Sequence, residues 1–171
     1  DIEGQPKPTL FAGTPKIGSG YFKTMGIPQL AGREFTLQDT AAALKVAIIS
    51  ERIVREYFPG GPYEALGRRV RLGDHGEWLT VVGVVADIRQ RGLDREVQPM
   101  LYVPFQQERE AFLLRFVSFV ARTTTPVGVV EGIRAEIRRA APDLPIETTV
   151  TMDEAVAASV AHSDRDQSAA R

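Results

Sequence analysis

The hydrophobic pattern of the chain is strand-like over its first two thirds and becomes helical towards the end. Residues 46–49 are all apolar and predict a strand that is buried on both faces. Ser50 is placed to cap a helix that begins at Glu51 and ends before Pro59, because the apolar residues in between recur at helical spacing. The pattern therefore predicts a buried strand followed directly by a helix.

The clearest hairpin in the sequence lies between residues 69 and 85. Residues 69–72 alternate between polar and apolar, the next four, 73–76, are turn formers, and 78–85 form a second apolar strand. A further short strand is predicted at 100–103, where Pro104 ends it. With the segments nearer the N terminus, five or six β-rich segments are predicted before residue 106.

Three smaller features precede this region. Residues 21–25 predict a short helix that Gly26 ends, and 28–33 predict a turn into an extended segment. Thr36 is followed three residues later by Asp39, a spacing that predicts the start of another short helix.

The last third of the chain predicts two strands that alternate with two helices. The strands are expected at 114–122 and 145–150, and a helix is expected from Thr125, the candidate N-cap, to the residues before Pro142. Residues 151–154 match a capping box and predict the start of the last helix. The sequence thus predicts an α+β fold, with an internal boundary near the polar stretch 106–110.

Composition narrows the range of possible functions. The chain has 171 residues, no cysteine, and 21 Lys and Arg against 22 Asp and Glu. Thiol nucleophiles, disulfides and thiolate metal sites are therefore excluded, and a net charge of -1 argues against a nucleic-acid partner. The apolar runs are far shorter than the roughly 18 residues that a membrane-spanning helix needs. Because the chain begins with Asp1 and without a signal segment, we expect it to be cut from a longer protein.

Candidate catalytic chemistry is sparse. His75 lies between Asp74 and Glu77, but a hairpin turn is expected there. We therefore expect these residues to form the turn rather than a metal or acid–base site. His162 stands in a polar tail. The glycine clusters match no phosphate-binding motif, and no nucleophile elbow is present. The residues therefore predict a protein that is not an enzyme and needs no metal or other cofactor.

Two clusters of arginine flank the predicted hairpin strands. Acidic residues interleave both clusters, which favours a solvated surface over an anion or partner site. The alternative is that they contact a partner. The candidate contact residues are Arg68, Arg69, Arg71, Arg89 and Arg91.

Several phrases of the sequence resemble, in order, the MacB-like periplasmic core domain of FtsX-type ABC transporter permeases, especially a large permease group of acidobacteria. The resemblance is close over 19–107 and looser over the last third. The phrases are Ser19–Pro28, Ala31–Thr36, Val46–Glu51, Tyr57–Gly60, Gly67–Val70, Val81–Arg89 and Tyr102–Pro104.

The resemblance implies a non-catalytic domain that is held on the periplasmic side of the inner membrane. It implies that the domain is inserted between transmembrane helices of a permease and transmits ATP-driven motion, or contacts cargo or partner proteins. The implied partners are the transmembrane helices of the parent permease, indirectly a cytoplasmic ABC ATPase, and a second permease copy or a periplasmic protein.

The resemblance also implies two lobes within one domain spanning 1–171. The β-rich lobe is expected at 19–107 and a porter-like β-α-β lobe at 9–18 plus 112–161, with 162–171 as a frayed tail. The alternative function is a free-standing ligand-binding or hydrolytic α+β protein that uses His75 and the arginine clusters.

Overall fold

The computed structural model describes residues 1–5, 12–73, 75–89, 96–108 and 117–157. The chain divides into two compact units. The first comprises Asp1–Gln90 with Glu96–Val120, and the second comprises Arg91–Arg95 with Ala121–Arg171. The mixture of strands and helices confirms the predicted α+β class.

Six short strands and four helices make up most of the regular structure of the described residues. The sheet belongs to the first unit and α4 to the second. A 3₁₀ turn at Phe105–Gln107 follows β6, and residues 152–157 are also helical. The elements are β1 (Lys16–Ile17), α1 (Tyr21–Met25), β2 (Gln29–Gly32), β3 (Val46–Ser50), α2 (Glu51–Tyr57), α3 (Pro62–Ala65), β4 (Arg69–Val70), β5 (Leu79–Val85), β6 (Leu101–Pro104) and α4 (Pro126–Ala140).

The sheet is mixed, with the strand order β1-β6-β3-β5-β2, and β4 also pairs with β5. The central strand β3 runs parallel to β5 and antiparallel to β6. β5 also pairs antiparallel with both β2 and β4. All five residues of β3 are buried, which confirms the strand that the apolar run 46–49 predicts. β5 connects most of the sheet, because three other strands pair with it.

The apolar core forms two clusters because successive side chains of a strand point to opposite faces. Ala47 and Ile49 of β3 belong to a cluster that includes the buried residues of α2, whereas Val46 and Ile48 belong to one that includes Phe22 of α1. The two helices therefore cover opposite faces of the sheet.

Gly32, at the end of β2, shows how closely this edge strand approaches β5. Its φ is +73°, and a Cβ placed there would lie 2.2 Å from the carbonyl oxygen of Val82. Any side chain at this position would collide with β5 in addition to straining the backbone. Only glycine allows β2 and β5 to pair at this point.

The sequence pattern predicts several local features correctly. α1 ends at Gly26, whose φ of 72° and backbone N–H bonds to Lys23 and Phe22 form a left-handed cap. The hairpin is present, with Arg69 opposite Thr80 in β4 and β5. The amphipathic helix expected after Thr125 is α4.

Three predictions are wrong within the described residues. Thr36 does not begin a helix: Asp39 accepts the backbone N–H of Thr36 at 2.8 Å and binds Arg33 at 2.8 Å, which closes a turn instead. The described residues 117–122 and the whole of 145–150 are not strands. A strand needs a partner as well as apolar residues, and among the described residues neither segment pairs with another.

The two predicted lobes stay a prediction. β1 pairs parallel with β6 through Lys16 and Val103, so residues 16 and 17 lie in the sheet of the first unit. The frayed tail predicted at 162–171 lies outside the described residues, as do 9–11, 112–116 and 158–161 of the predicted porter-like lobe.

Candidate functional site

His75 lies exposed in the hairpin turn. Asp74 and His162 lie outside the described residues. Among the residues that the structure describes, no group of three or more His, Asp or Glu side chains is arranged to hold a metal ion. Over the same residues, no helix has both the length and the apolar character that crossing a bilayer requires. The candidate sites are therefore polar contacts that fix one segment to another.

The first of these sites joins the chain's first residues to the hairpin. Glu3 donates its backbone N–H to the carbonyl of Arg69 at 3.0 Å, and Arg71 donates to the carbonyl of Asp1 at 2.9 Å. Ile2 and Val70 face each other in an antiparallel bridge between these bonds. The segment 1–3 thus pairs with β4 through an isolated β-bridge.

Side chains reinforce this pairing on one face. Arg69 binds Glu3 through two nitrogens, and Arg71 Nε lies 2.8 Å from Asp1 Oδ2. The hydrogen bond from Arg69 holds the pKa of Glu3 below its ordinary value. On the other face, Ile2 is buried in the same core cluster as Val70. We call these five residues, Asp1, Ile2, Glu3, Arg69 and Arg71, the N-terminal clamp.

Trp78, the only tryptophan of the chain, lies against the clamp. Its ring centroid is 4.8 Å from the guanidinium carbon of Arg71 and 5.6 Å from that of Arg69. Cations at this distance from an indole face are attracted by its quadrupole. Both arginines are therefore held between an acidic side chain and an aromatic ring.

The structure separates the predicted partner-contact residues. Arg69 and Arg71 make ion pairs within the clamp, and Arg68, Arg69 and Arg89 are exposed. Arg91 lies outside the described residues. A partner contact of these five residues stays a prediction.

A second polar site lies where β5 ends. Asp87, two residues after the strand, accepts the backbone N–H of Arg52 at 2.8 Å, and its other oxygen lies 2.6 Å from Arg55 Nη2. A carboxylate at the first turn of a helix satisfies a free N–H and interacts favourably with the helix dipole. Asp87 therefore fixes the start of α2 to the end of β5.

Ser50 has a different role from the one its position suggests. It stands at the N-cap of α2 but makes no side-chain cap bond. Its hydroxyl instead accepts the backbone N–H of Met100 at 3.0 Å, and its own N–H donates to the carbonyl of Met100 at 2.9 Å. Ser50 thereby extends the pairing of β3 with the start of β6, and Asp87 supplies the helix cap.

Arg52 makes a further contact beside Asp87. Its Nη2 lies 3.0 Å from Glu96, which is 80% exposed. Asp87 and Glu96 stand before and after the segment 90–95, so α2 contacts the chain on both sides of it. The exposed Glu96 pair contributes little to stability, and the half-buried cap by Asp87 is the stronger attachment.

Tyr102 of β6 is a fully buried hydroxyl-bearing residue beside this site. Its ring packs edge-on against Phe22, with centroids 4.9 Å apart. The hydroxyl has no hydrogen-bond partner among the described residues. Burial raises the pKa of Tyr102, and the nearby Tyr21 and Asp87 raise it further.

A third polar site is built around Gln107, at the end of the 3₁₀ turn. Its side-chain oxygen accepts the backbone N–H of Val46 at 3.1 Å. Its amide nitrogen donates to the carbonyls of Leu44 at 2.8 Å and Thr40 at 3.3 Å. Gln107 therefore fixes the 3₁₀ turn to the loop 40–45 and to the start of β3 through a buried side chain.

The sequence pattern does not predict Asp87, Gln107 or the acidic residues of the clamp as site residues. Asp87 offered one signal, since a carboxylate directly after an apolar strand often caps a neighbouring helix. The partners of Gln107 are more than 60 residues away, so no local pattern could reveal them. All three sites hold segments together, and their carboxylates are paired with arginine or backbone donors rather than left open for acid–base chemistry.

Comparison with known proteins identifies relatives of this architecture. The family model described as "MacB-like periplasmic core domain" matches residues 3–140. No curated protein matches the chain.

Three solved structures have a similar fold. The periplasmic region of MacB from Actinobacillus actinomycetemcomitans is 20% identical with a TM-score of 0.51, and the match covers 75% of this chain and 56% of that one. A domain of a protein described as a permease from Porphyromonas gingivalis is 16% identical with a TM-score of 0.54, and the match covers 89% of this chain and 73% of that one. The extracellular domain of the noncanonic ABC-type transporter YknZ from Gram-positive bacteria is 23% identical with a TM-score of 0.50, and the match covers 76% of this chain and 63% of that one. The chain thus spans less than two thirds of the MacB and YknZ structures.

Proposed function

The chain belongs to the MacB-like periplasmic core domain family, and on this premise we propose that it is the extracytoplasmic domain of an ABC transporter permease. The match of the family model over residues 3–140 is the observation that carries the proposal. The similar folds of the MacB and YknZ regions support it. The narrower assignment to an acidobacterial group stays a prediction from the sequence.

We propose further that the domain is not catalytic and transmits motion. A part that transmits motion must keep its shape under load, and the polar sites described above connect segments that are distant in sequence. Asp87 attaches a helix to the end of β5, and Gln107 attaches the 3₁₀ turn after β6 to the loop 40–45 and the start of β3. Close packing of the core between these attachments resists deformation.

The partners that follow from this role are proposals as well. They are the transmembrane helices of the parent permease, a cytoplasmic ABC ATPase that acts through those helices, and a second permease copy or a periplasmic protein. ATP hydrolysis would move the transmembrane helices, and the domain would follow.

Movement of the domain relative to the membrane tests this function. Gln38 is exposed and can be replaced by a fluorescent non-natural amino acid in the full-length permease, reconstituted with its ATPase in vesicles that carry quencher-labelled lipid headgroups. We expect the quenching to differ between the nucleotide-free complex and the complex trapped with Mg-ATP and vanadate. The same complex with ATP but without Mg²⁺ is the control. Identical quenching in the nucleotide-free and trapped states would contradict a role in transmitting motion.

A further inference from the structure

The N-terminal clamp offers a route by which force on the polypeptide can enter the sheet. The segment 1–3 pairs with β4 through an isolated bridge, β4 pairs with β5, and β5 pairs with the central strand β3. A pull along this segment is therefore passed across hydrogen-bonded neighbours to the centre of the sheet.

The clamp also attaches the first residues to the core. Ile2 is 6% exposed and packs in the cluster that contains Val70 of β4, Ala47 and Ile49 of β3, and residues of α2. Pulling such a side chain out of the core exposes its apolar surface to water, which is unfavourable. The segment 1–3 cannot slide along β4 without pulling Ile2 out of this cluster.

The charged face of the clamp fixes its register. Glu3 and Asp1 are two positions apart and meet Arg69 and Arg71, which are also two positions apart on the antiparallel strand. A slip of one residue would place Ile2 against an arginine and a carboxylate against the core. The arginines are further restrained by the ring of Trp78.

From these contacts we infer that the N-terminal clamp is the coupling contact through which motion of the preceding chain enters this domain. The inference rests on the proposed function, because it assigns the place where the transmitted motion arrives. The moving part of this contact is the segment 1–3, and the part fixed in the sheet is Arg69 and Arg71. Opening the clamp should uncouple the domain from the membrane while leaving the rest of the sheet folded.

Two variants open the clamp in different ways. Ile2→Asp places a carboxylate in the core and so expels the strand. Arg69→Gln/Arg71→Gln removes both ion pairs and the stacking on Trp78 without altering the core. Hydrogen exchange of the Glu3 backbone amide, which donates to Arg69 in the closed clamp, reports in the purified full-length permease whether the clamp has opened, and circular dichroism reports whether the protein is folded. Glu136→Gln/Arg139→Gln removes an exposed ion pair of α4 and is the matched control.

A disulfide can close the clamp again. The bonds from Glu3 to Arg69 and from Arg71 to Asp1 flank Ile2 and Val70, so these two residues form a non-hydrogen-bonded pair, in which Cα atoms are about 4.5 Å apart. That separation permits a disulfide. Ile2→Cys/Val70→Cys can therefore be added to Arg69→Gln/Arg71→Gln and oxidised, and the 171 residues contain no other cysteine.

The decisive readout is the ATP-dependent quenching change at position 38 of the full-length permease. We expect at least a threefold smaller change in both opening variants, a wild-type change in the control, and recovery in the oxidised but not the reduced disulfide variant. An unaltered quenching change in Arg69→Gln/Arg71→Gln, with fast hydrogen exchange at Glu3 showing an open clamp, would overturn the inference. If the wild type itself shows no ATP-dependent change, the proposed function has failed rather than the clamp.

Discussion

Asp87 accepts the backbone N–H of Arg52 at 2.8 Å, so a carboxylate at the end of one strand caps a helix that begins 36 residues earlier, at Glu51. The same carboxylate binds Arg55 one turn further along α2. This contact closes the β3-α2 unit onto β5, the strand with which β2, β3 and β4 all pair.

Replacing Asp87 with alanine should lower the free energy of unfolding by about 1–2 kcal/mol, because the cap is lost. Asp87→Asn keeps an oxygen that can accept the N–H of Arg52 but loses the charge opposite Arg55, so we expect a smaller loss. Urea denaturation of the two variants provides the measurement. Equal stability of wild type and Asp87→Ala would show that the cap has no role in holding α2.

Ser50→Ala should destabilise the chain by about 1–3 kcal/mol, because the buried backbone N–H of Met100 loses its acceptor. Ser19→Ala, at an exposed position of the same unit, is the matched control and should change stability by less than about 0.5 kcal/mol. Thermal unfolding of both variants tests the difference. A Ser50→Ala variant as stable as Ser19→Ala would mean that the hydroxyl is not the acceptor.

Gln107 and its neighbour Gln106 form a natural comparison. Gln107→Ala removes an acceptor and two donor contacts around loop 40–45 and should cost about 2–3 kcal/mol. Gln106 has a side-chain oxygen without a partner among the described residues, so Gln106→Ala should be nearly neutral. Amide hydrogen exchange at Val46 should accelerate only in the Gln107 variant. Equal acceleration in both variants would contradict the assigned contacts.

The sequence predicts elements whose signal is local. The apolar run 46–49 can only be buried, and Gly26 ends a helix by its own backbone freedom. At Ser50 the position is predicted correctly but the bond is not, because the hydroxyl has a choice between its own helix and β6. The hydrogen-bond partners of Asp87 and Gln107 are 35 and 61 residues away in the sequence. The hydrophobic pattern of a single segment cannot predict contacts of this kind.

The C-terminal third shows the same limit and a further local success. The segment 145–150 has apolar residues suited to a strand, but no partner strand lies beside it among the described residues. The capping box at 151–154 is local and is present: Glu154 donates its backbone N–H to Thr151 Oγ1 at 3.2 Å, and its carboxylate accepts the N–H of Thr151 at 2.7 Å.

This capping box predicts a pH dependence. The hydrogen bonds from Thr151 hold the pKa of Glu154 below the ordinary value of 4.5. A lowered pKa in the folded state means that the carboxylate stabilises the helical turn 152–157 above the ordinary pKa, and that this contribution is lost as the pH falls through the folded pKa. NMR titration of the Glu154 carboxyl should show the low pKa. Thr151→Ala removes the hydroxyl but keeps the backbone N–H, so it should return the pKa part of the way towards 4.5. An unchanged pKa in Thr151→Ala would rule out the hydroxyl as one of its causes.

The side of the membrane on which the domain lies tests the central claim most directly. Because the 171 residues contain no cysteine, Gln38→Cys introduces one exposed thiol and Ser50→Cys one buried thiol into the full-length permease freed of any other cysteines. A membrane-impermeant maleimide should label Gln38→Cys in cells whose inner membrane is intact. The same reagent should label Ser50→Cys only after denaturation, and a cysteine on the cytoplasmic ATPase only after lysis. Labelling of Gln38→Cys that requires lysis would contradict an extracytoplasmic domain.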